Sequence, residues 1–186
     1  SAKAGSLANI SEKVAKSSKE RIKEIIDKVD AKSTTIKIAT YNGDIVDGLK
    51  EIDRELGIDL IILAPRSNAI KEELYLGNTT GRIIKKTNIP ALIVPKGTVF
   101  KPFKTALTAF KSGILKKKRI LEPLLSFQKK FGTLVSLLLV ETPGYDSDDL
   151  KVHPALMDIS EQLTITENAT TYQGVLEHFQ SHQPDL

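Results

Sequence analysis

The sequence predicts an α/β protein built on parallel strands. Short strand-like runs alternate with helical periodicities along the chain. The runs DLIILA (59–64) and PALIVP (90–95) are apolar almost throughout, as strands covered on both faces of a parallel sheet are. After a break near residue 100 the alternation starts again, and right-handed crossovers are expected between neighbouring strands.

Residues 7–29 read as a helix, because Ile10, Val14, Ile22, Ile25, Ile26 and Val29 recur mostly at helical spacing with Lys and Glu between them. The β-branched, alternating stretch TTIKIAT (34–40) predicts a strand. Asn42, Gly43 and Asp44 form a turn, and Asn42 or Asp44 can cap the helix marked by Ile45, Leu49, Ile52 and Leu56. Gly57 suits the end of that helix. A strand over 59–64 and a loop over 65–68 follow. Gly-Asn-Thr-Thr then opens a helix over 77–86, and a strand over 90–95 is bracketed by prolines. Residues 96–103 (KGTVFKPF) carry the composition of a linker. Beyond it the sequence predicts a strand at 104–110, a helix at 114–131, a strand at 133–140, a polar loop at 143–149, a strand at 159–166 and a helix at 172–179.

Composition bounds the function. Of 186 residues, 40% are hydrophobic and 27% charged, enough for a packed core. There is no cysteine, which excludes disulfides and thiolate chemistry and leaves the redox compartment unreported. No stretch approaches the roughly 18 apolar residues of a membrane span, and the first residues lack a signal-peptide core. A cytoplasmic location and no membrane partner are expected. A net charge of +4 raises nucleic-acid binding. The basic residues Lys116, Lys117, Lys118, Arg119, Lys129 and Lys130 fall on one predicted helix without interleaved aromatics, so a solvated helix face is expected and no nucleic-acid partner.

No catalytic set emerges. His178 and His182 are spaced as zinc ligands can be, but no third ligand is near and Glu177 points about a hundred degrees away from His178 on a helix. Asp146, Asp148 and Asp149 resemble half a calcium loop without its spacing or its closing Glu. Ser112-Gly113 lacks the Gly-x-Ser-x-Gly frame of a nucleophile elbow. The chain is therefore expected to hold no metal and to be no enzyme.

An internal repeat is visible at a shift of 126 residues, where Thr40 falls on Thr166, Asn42 on Asn168, Gly48 on Gly174, Glu51 on Glu177 and Asp59-Leu60 on Asp185-Leu186. Each copy reads strand, Asn-bearing turn, helix, then Asp-Leu opening a strand. The first copy looks cut at its front and the second at its back.

Asn42-Gly43-Asp44, Gly57-Ile58-Asp59-Leu60-Ile61-Ile62, Gly77-Asn78 and Asn88-Ile89-Pro90-Ala91-Leu92-Ile93-Val94-Pro95 together resemble the universal stress protein family. The resemblance implies flavodoxin-like units in tandem, of the adenine-nucleotide alpha-hydrolase-like kind. Each has a parallel five-stranded sheet with its first strand beside its fourth. Residues 1–97 would be the C-terminal part of a first unit, 98–103 the linker, and 104–186 the N-terminal part of a second. A single composite sheet would put 104–110 directly beside 59–64.

Nucleotide-binding members carry Gly-x2-Gly-x9-Gly-Ser/Thr, in which glycines admit phosphate to the backbone and a helix start binds the anion. Here Ala64 and Ser67 stand at the first two glycine positions, Gly77 keeps the third, and Asn78 replaces the hydroxyl residue, with Thr79 and Thr80 following. Lys111 stands where the family's acid would end the first strand of the second unit. The resemblance thus implies a non-catalytic stress-response or signalling protein with a degraded nucleotide loop and no cofactor beyond weakly bound ATP. It would act as a homodimer, or an intramolecular pseudo-dimer, through the strand that begins at Ala91 and ends at Pro95. The alternative is an ATP-binding switch or weak ATPase of the same fold.

Overall fold

The computed structural model describes residues 2–64, 77–115 and 118–186. These form two compact units, one of Ser1–Gly57 with Lys85–Thr87 and one of Ile58–Ile84 with Asn88–Leu186.

The first unit holds helices α1 (Ala2–Ile26) and α2 (Ile45–Leu56). In α1 the predicted apolar stripe is open, with Ile10, Val14 and Ile25 all more than half exposed. For α2 the Asp44 carboxylate accepts the Val46 amide at 2.9 Å, and Gly57 closes the helix at φ 69°. Asp44 is therefore the cap, while the Asn42 side chain donates to Ser11 Oγ at 3.2 Å. The strand expected over 34–40 does not form. Strand preference becomes structure only through pairing with a neighbour, the first unit holds no other strand among the described residues, and Ile36 stays 45% exposed.

The second unit carries the strands. β1 (Ile61–Leu63) and, after α3 (Gly77–Lys86), β2 (Ala91–Ile93) pair in parallel with Ile61 opposite Ala91. β3 (Thr105–Phe110), β4 (Leu134–Glu141) and β5 (Gln162–Glu167) form a separate parallel sheet in the order β3-β4-β5. The expected five-stranded sheet is thus two sheets of two and three strands, and 104–110 does not pair with 59–64. The outer edge of β3 is taken instead by Asp185 and Leu186. Leu107 N–H donates to the Leu186 carbonyl at 2.8 Å, and the Asp185 carboxylate accepts the amides of Lys104 at 2.9 Å and Thr105 at 3.2 Å.

The helix expected over 114–131 is shorter. A 3-10 turn covers Lys118–Leu121, and α4 runs only over Glu122–Phe131. Pro123 lies in its first turn, where a missing amide is tolerated; further inside a helix its ring would collide with the preceding turn. Gly132, left-handed at φ 66°, ends it. The short α5 (Pro154–Met157) has no counterpart among the expected elements; His153 Nδ1 accepts the Ala155 amide at 3.1 Å and caps it. α6 (Thr171–His182) is capped by Thr170, whose hydroxyl accepts the Gln173 amide at 3.2 Å.

The core sits on the three-stranded sheet. Ala106, Leu121, Val135, Leu137, Leu156 and Ile159 pack together, with Phe110, Leu124, Leu163 and Leu186 against them. Each such side chain contributes about 1.5–3 kcal/mol when fully buried. Leu137, Leu138, Leu139 and Val140 have no exposure at all, so β4 is covered on both faces. β1 departs from the same expectation. Ile61 is buried but Ile62 is 67% exposed, because nothing among the described residues covers that face of the two-stranded sheet.

Candidate functional site

Ala64 directly follows β1 and is exposed. Ser67 lies outside the described residues. Gly77, Asn78, Thr79 and Thr80 share the first turn of α3, which carries no acidic side chain and places Lys85 and Lys86 at its far end. The amides at a helix start attract an anion. Asn78 and Thr79 face solvent, whereas Thr80 is buried, at 7% exposed. Of the two threonines, Thr79 is the one open to a ligand from solvent. At Ala64 a β-carbon stands where the resemblance calls for bare backbone.

A second feature has no counterpart in the sequence motifs. At the carboxyl ends of β4 and β5 lies a cleft of about 470 Å³ lined by Glu141, Thr142, Pro143, Gly144, Tyr145, Glu167 and Asn168. Parallel register sets it up, because Glu141 and Glu167 stand opposite each other on adjacent strands. The Asn168 amide N–H donates to the Glu141 carbonyl at 3.0 Å, and its side chain donates to Glu177 Oε2 at 3.1 Å. The Tyr145 hydroxyl is buried without a hydrogen-bond partner among the described residues. Burial, then the charges of Asp149 and Glu141, push its pKa up, so it remains a donor. Two carboxylates, an amide and a phenol suit a cationic or hydroxyl-bearing group and repel phosphate. The cleft is hidden in the sequence because its two stretches, 141–145 and 167–168, meet only through strand register; Asn168, marked by the repeat, is the available signal.

The carboxyl end of β3 is closed off. Gly113 N–H donates to the Asp149 carbonyl at 2.8 Å, and the His153 amide donates to the Gly113 carbonyl at 2.9 Å. A β-carbon on Gly113 would lie 2.6 Å from Lys151 O, so the backbone of 149–153 is seated directly on it. Ser112 Oγ accepts the Ile114 amide at 3.3 Å and serves the turn. Lys111, at the position of the expected acid, is exposed.

The sequence model of the universal stress protein family matches residues 1–95. The chain belongs to the universal stress protein family. The match covers α1 through β2, including the positions of Ala64, Ser67 and Gly77 to Thr80, and stops at the Pro95 that closes the last matched strand. No curated protein and no solved structure matches the chain.

In this universal stress protein the parallel pairing and the intervening helices agree with an α/β fold. Among the described residues no helix is long and apolar enough to cross a membrane, and no group of three or more His, Asp or Glu could hold a metal ion. His178 and His182 instead stack ring on ring, with centroids 4.1 Å apart. Helices α2 and α6 hold equivalent places at the same shift of 126 residues, Ile45–Leu56 against Thr171–His182. Their caps, Asp44 and Thr170, correspond as well, and so do the positive-φ residues that end them, Gly57 and Gln183.

Proposed function

We propose that this universal stress protein is a non-catalytic stress-response or signalling protein of two tandem units. In this reading its nucleotide loop is degraded and it acts by pairing. The observation that carries the reading is the pair of replaced glycines, Ala64 and Ser67, ahead of a helix start that keeps only Gly77. A methyl or hydroxymethyl group at those positions holds phosphate oxygens off the backbone. The buried Thr80 removes one of the hydroxyls that would compensate.

The matched bounds and caps of α2 and α6 support a tandem duplication, in which α6 repeats α2 in the second unit. Pairing through the strand from Ala91 to Pro95 is supported by β2, which is an edge strand whose three residues are all half-buried. The exposed Thr79 and the acid-free first turn of α3 are what favours the second reading, an ATP-binding switch or weak ATPase.

Isothermal titration with Mg-ATP separates the two. The first reading expects a dissociation constant weaker than about 10 μM, which corresponds to less than about 7 kcal/mol of binding. The combined variant Ala64→Gly, Ser67→Gly and Asn78→Ser should bind at least about tenfold tighter than the parent. Tight binding by the parent chain would overturn the degraded-loop reading, and ATP turnover would establish the second one. Light scattering tests the pairing, with a dimer expected.

A further inference from the structure

Residues 96–104 lead from β2 to β3 as a strap. A turn in which the Thr98 amide donates to the Pro95 carbonyl at 3.2 Å, with Gly97 at φ 83°, presents Val99 and Phe100 to solvent, 84% and 68% exposed. Large apolar side chains this open, next to each other, mark contact surfaces. The tip has a firm base. The Phe100 ring lies 6.0 Å from Phe103 and 5.9 Å from Phe131, and Phe103 lies 5.2 Å from Phe127. The Phe103 carbonyl accepts the Thr133 hydroxyl at 2.7 Å, and the Lys104 carbonyl accepts the Leu134 amide at 2.9 Å, so the strap is pinned to the start of β4.

Exposed lysines flank this tip. Lys96, Lys101 and Lys104 lie on the strap, and Lys129 and Lys130 on the last turn of α4. Lys130 Nζ sits 5.7 Å from the Phe131 ring centroid. Asp185 lies 3.9 Å from Lys101, with its carboxylate already accepting the Lys104 and Thr105 amides.

We infer that the strap and the last turn of α4 form a docking surface for an anionic lipid bilayer. An aliphatic and an aromatic side chain on a protruding turn can enter the boundary between headgroups and acyl chains. Flanking lysines keep their stems on the apolar surface and their charges at the lipid phosphates. Single-stranded nucleic acid would also welcome the lysines, but it stacks bases on open ring faces. Here the rings pack largely edge to face among themselves, and the most exposed apolar residue is the aliphatic Val99.

Cosedimentation of the 186-residue chain with phosphatidylcholine vesicles containing about 30 mol% phosphatidylserine, and with pure phosphatidylcholine vesicles, tests this. The chain should pellet with the anionic vesicles, not with the neutral ones, and should be released by high salt. The double variant Val99→Ser with Phe100→Ser should lose most of the binding while staying folded, with a melting temperature lowered only by the loss of the Phe100 ring contacts with Phe103 and Phe131. Lys129→Gln and Lys130→Gln should each weaken binding about fivefold and provide the readout if the tip variant unfolds. No partition into anionic vesicles overturns the inference, as does partition unchanged in both sets of variants. Binding of an oligothymidylate without vesicle binding would assign the surface to nucleic acid. Loss of a dimer in the tip variant without vesicle binding would assign it to a second copy of the chain.

Discussion

Replacing Gly113 by alanine would put a methyl carbon 2.6 Å from Lys151 O, 2.6 Å from Val152 Cα and 2.8 Å from Lys151 C. All three are backbone atoms, so no side chain can swing aside. Two hydrogen bonds hold that backbone against Gly113, one of 2.8 Å to Asp149 and one of 2.9 Å from His153. Relieving the overlap means moving residues 149–153 away from the end of β3. Overpacking of this kind costs about 1–3 kcal/mol, and each backbone hydrogen bond lost adds about 0.5–1.5 kcal/mol. The sum is roughly 2–6 kcal/mol, a fall in melting temperature of roughly 4–24 °C for a chain of this size. Gly81 is the control in the same unit. It lies inside α3, and a β-carbon there would meet nothing within 4 Å among the described residues, so Gly81→Ala should stabilise by up to about 1 kcal/mol through helix preference. Thermal melts followed by circular dichroism read both. A Gly113→Ala chain melting within about 2 °C of the parent would refute the wedge.

Two further outcomes concern protons. Burial, and then the neighbouring His182, hold the His178 pKa below the usual histidine value. The unfolded chain therefore takes up this proton first as pH falls, and the stability it affects declines from the usual histidine pKa down to the depressed one; an NMR titration should find the His178 midpoint low and partly restored by His182→Gln, and a midpoint at or above the usual value would contradict the ring stack. The backbone amides of Lys104 and then Thr105 hold the Asp185 carboxyl below the usual aspartate range, so its contribution is present above the unfolded value and lost as pH falls through the folded one. Asp185→Ala should speed hydrogen exchange at Lys104, Thr105 and Leu107, whereas Lys101→Gln, which removes only an exposed partner, should leave those amides unchanged.

What the sequence makes legible is largely local. The Asp44 cap, the apolar face of α2 and the Gly57 stop lie within one short stretch, and the helix forms between them. Residues 34–40 carry as strong a strand pattern as any in the chain, yet a strand requires an edge to pair with, which no local pattern supplies. Pro123 is in plain view, but its power to set the start of α4 is masked by the apolar spacing on either side of it. α5 has four residues, too few for a period to show. At the candidate site, the replaced glycines can be named from spacing alone. The burial of Thr80 and the facing of Glu141 with Glu167 depend on packing and register between distant segments. The meeting of Phe100 and Phe103 with Phe127 and Phe131 has the same origin. The sequence keeps its lysine-rich helix and its aromatic linker apart, and the fold joins them.

The central strand β4 leaves a distinct signature on what substitutions the protein tolerates. Leu137 looks toward Leu121 and Leu156, and Val140 lies beneath Gly174 of α6, so consecutive positions are enclosed from opposite sides. Strand β5 at the sheet edge keeps Gln162, Ile165 and Glu167 in the open. A library of single replacements should therefore show a continuous block of intolerance from Leu137 to Val140, with hydrophilic residues rejected at every step. Along β5 acceptance should come and go. Sequence drift in this half of the protein is thereby channelled to the rim of the sheet and the ends of its strands, where new ligands and partners can be acquired while the centre stays fixed.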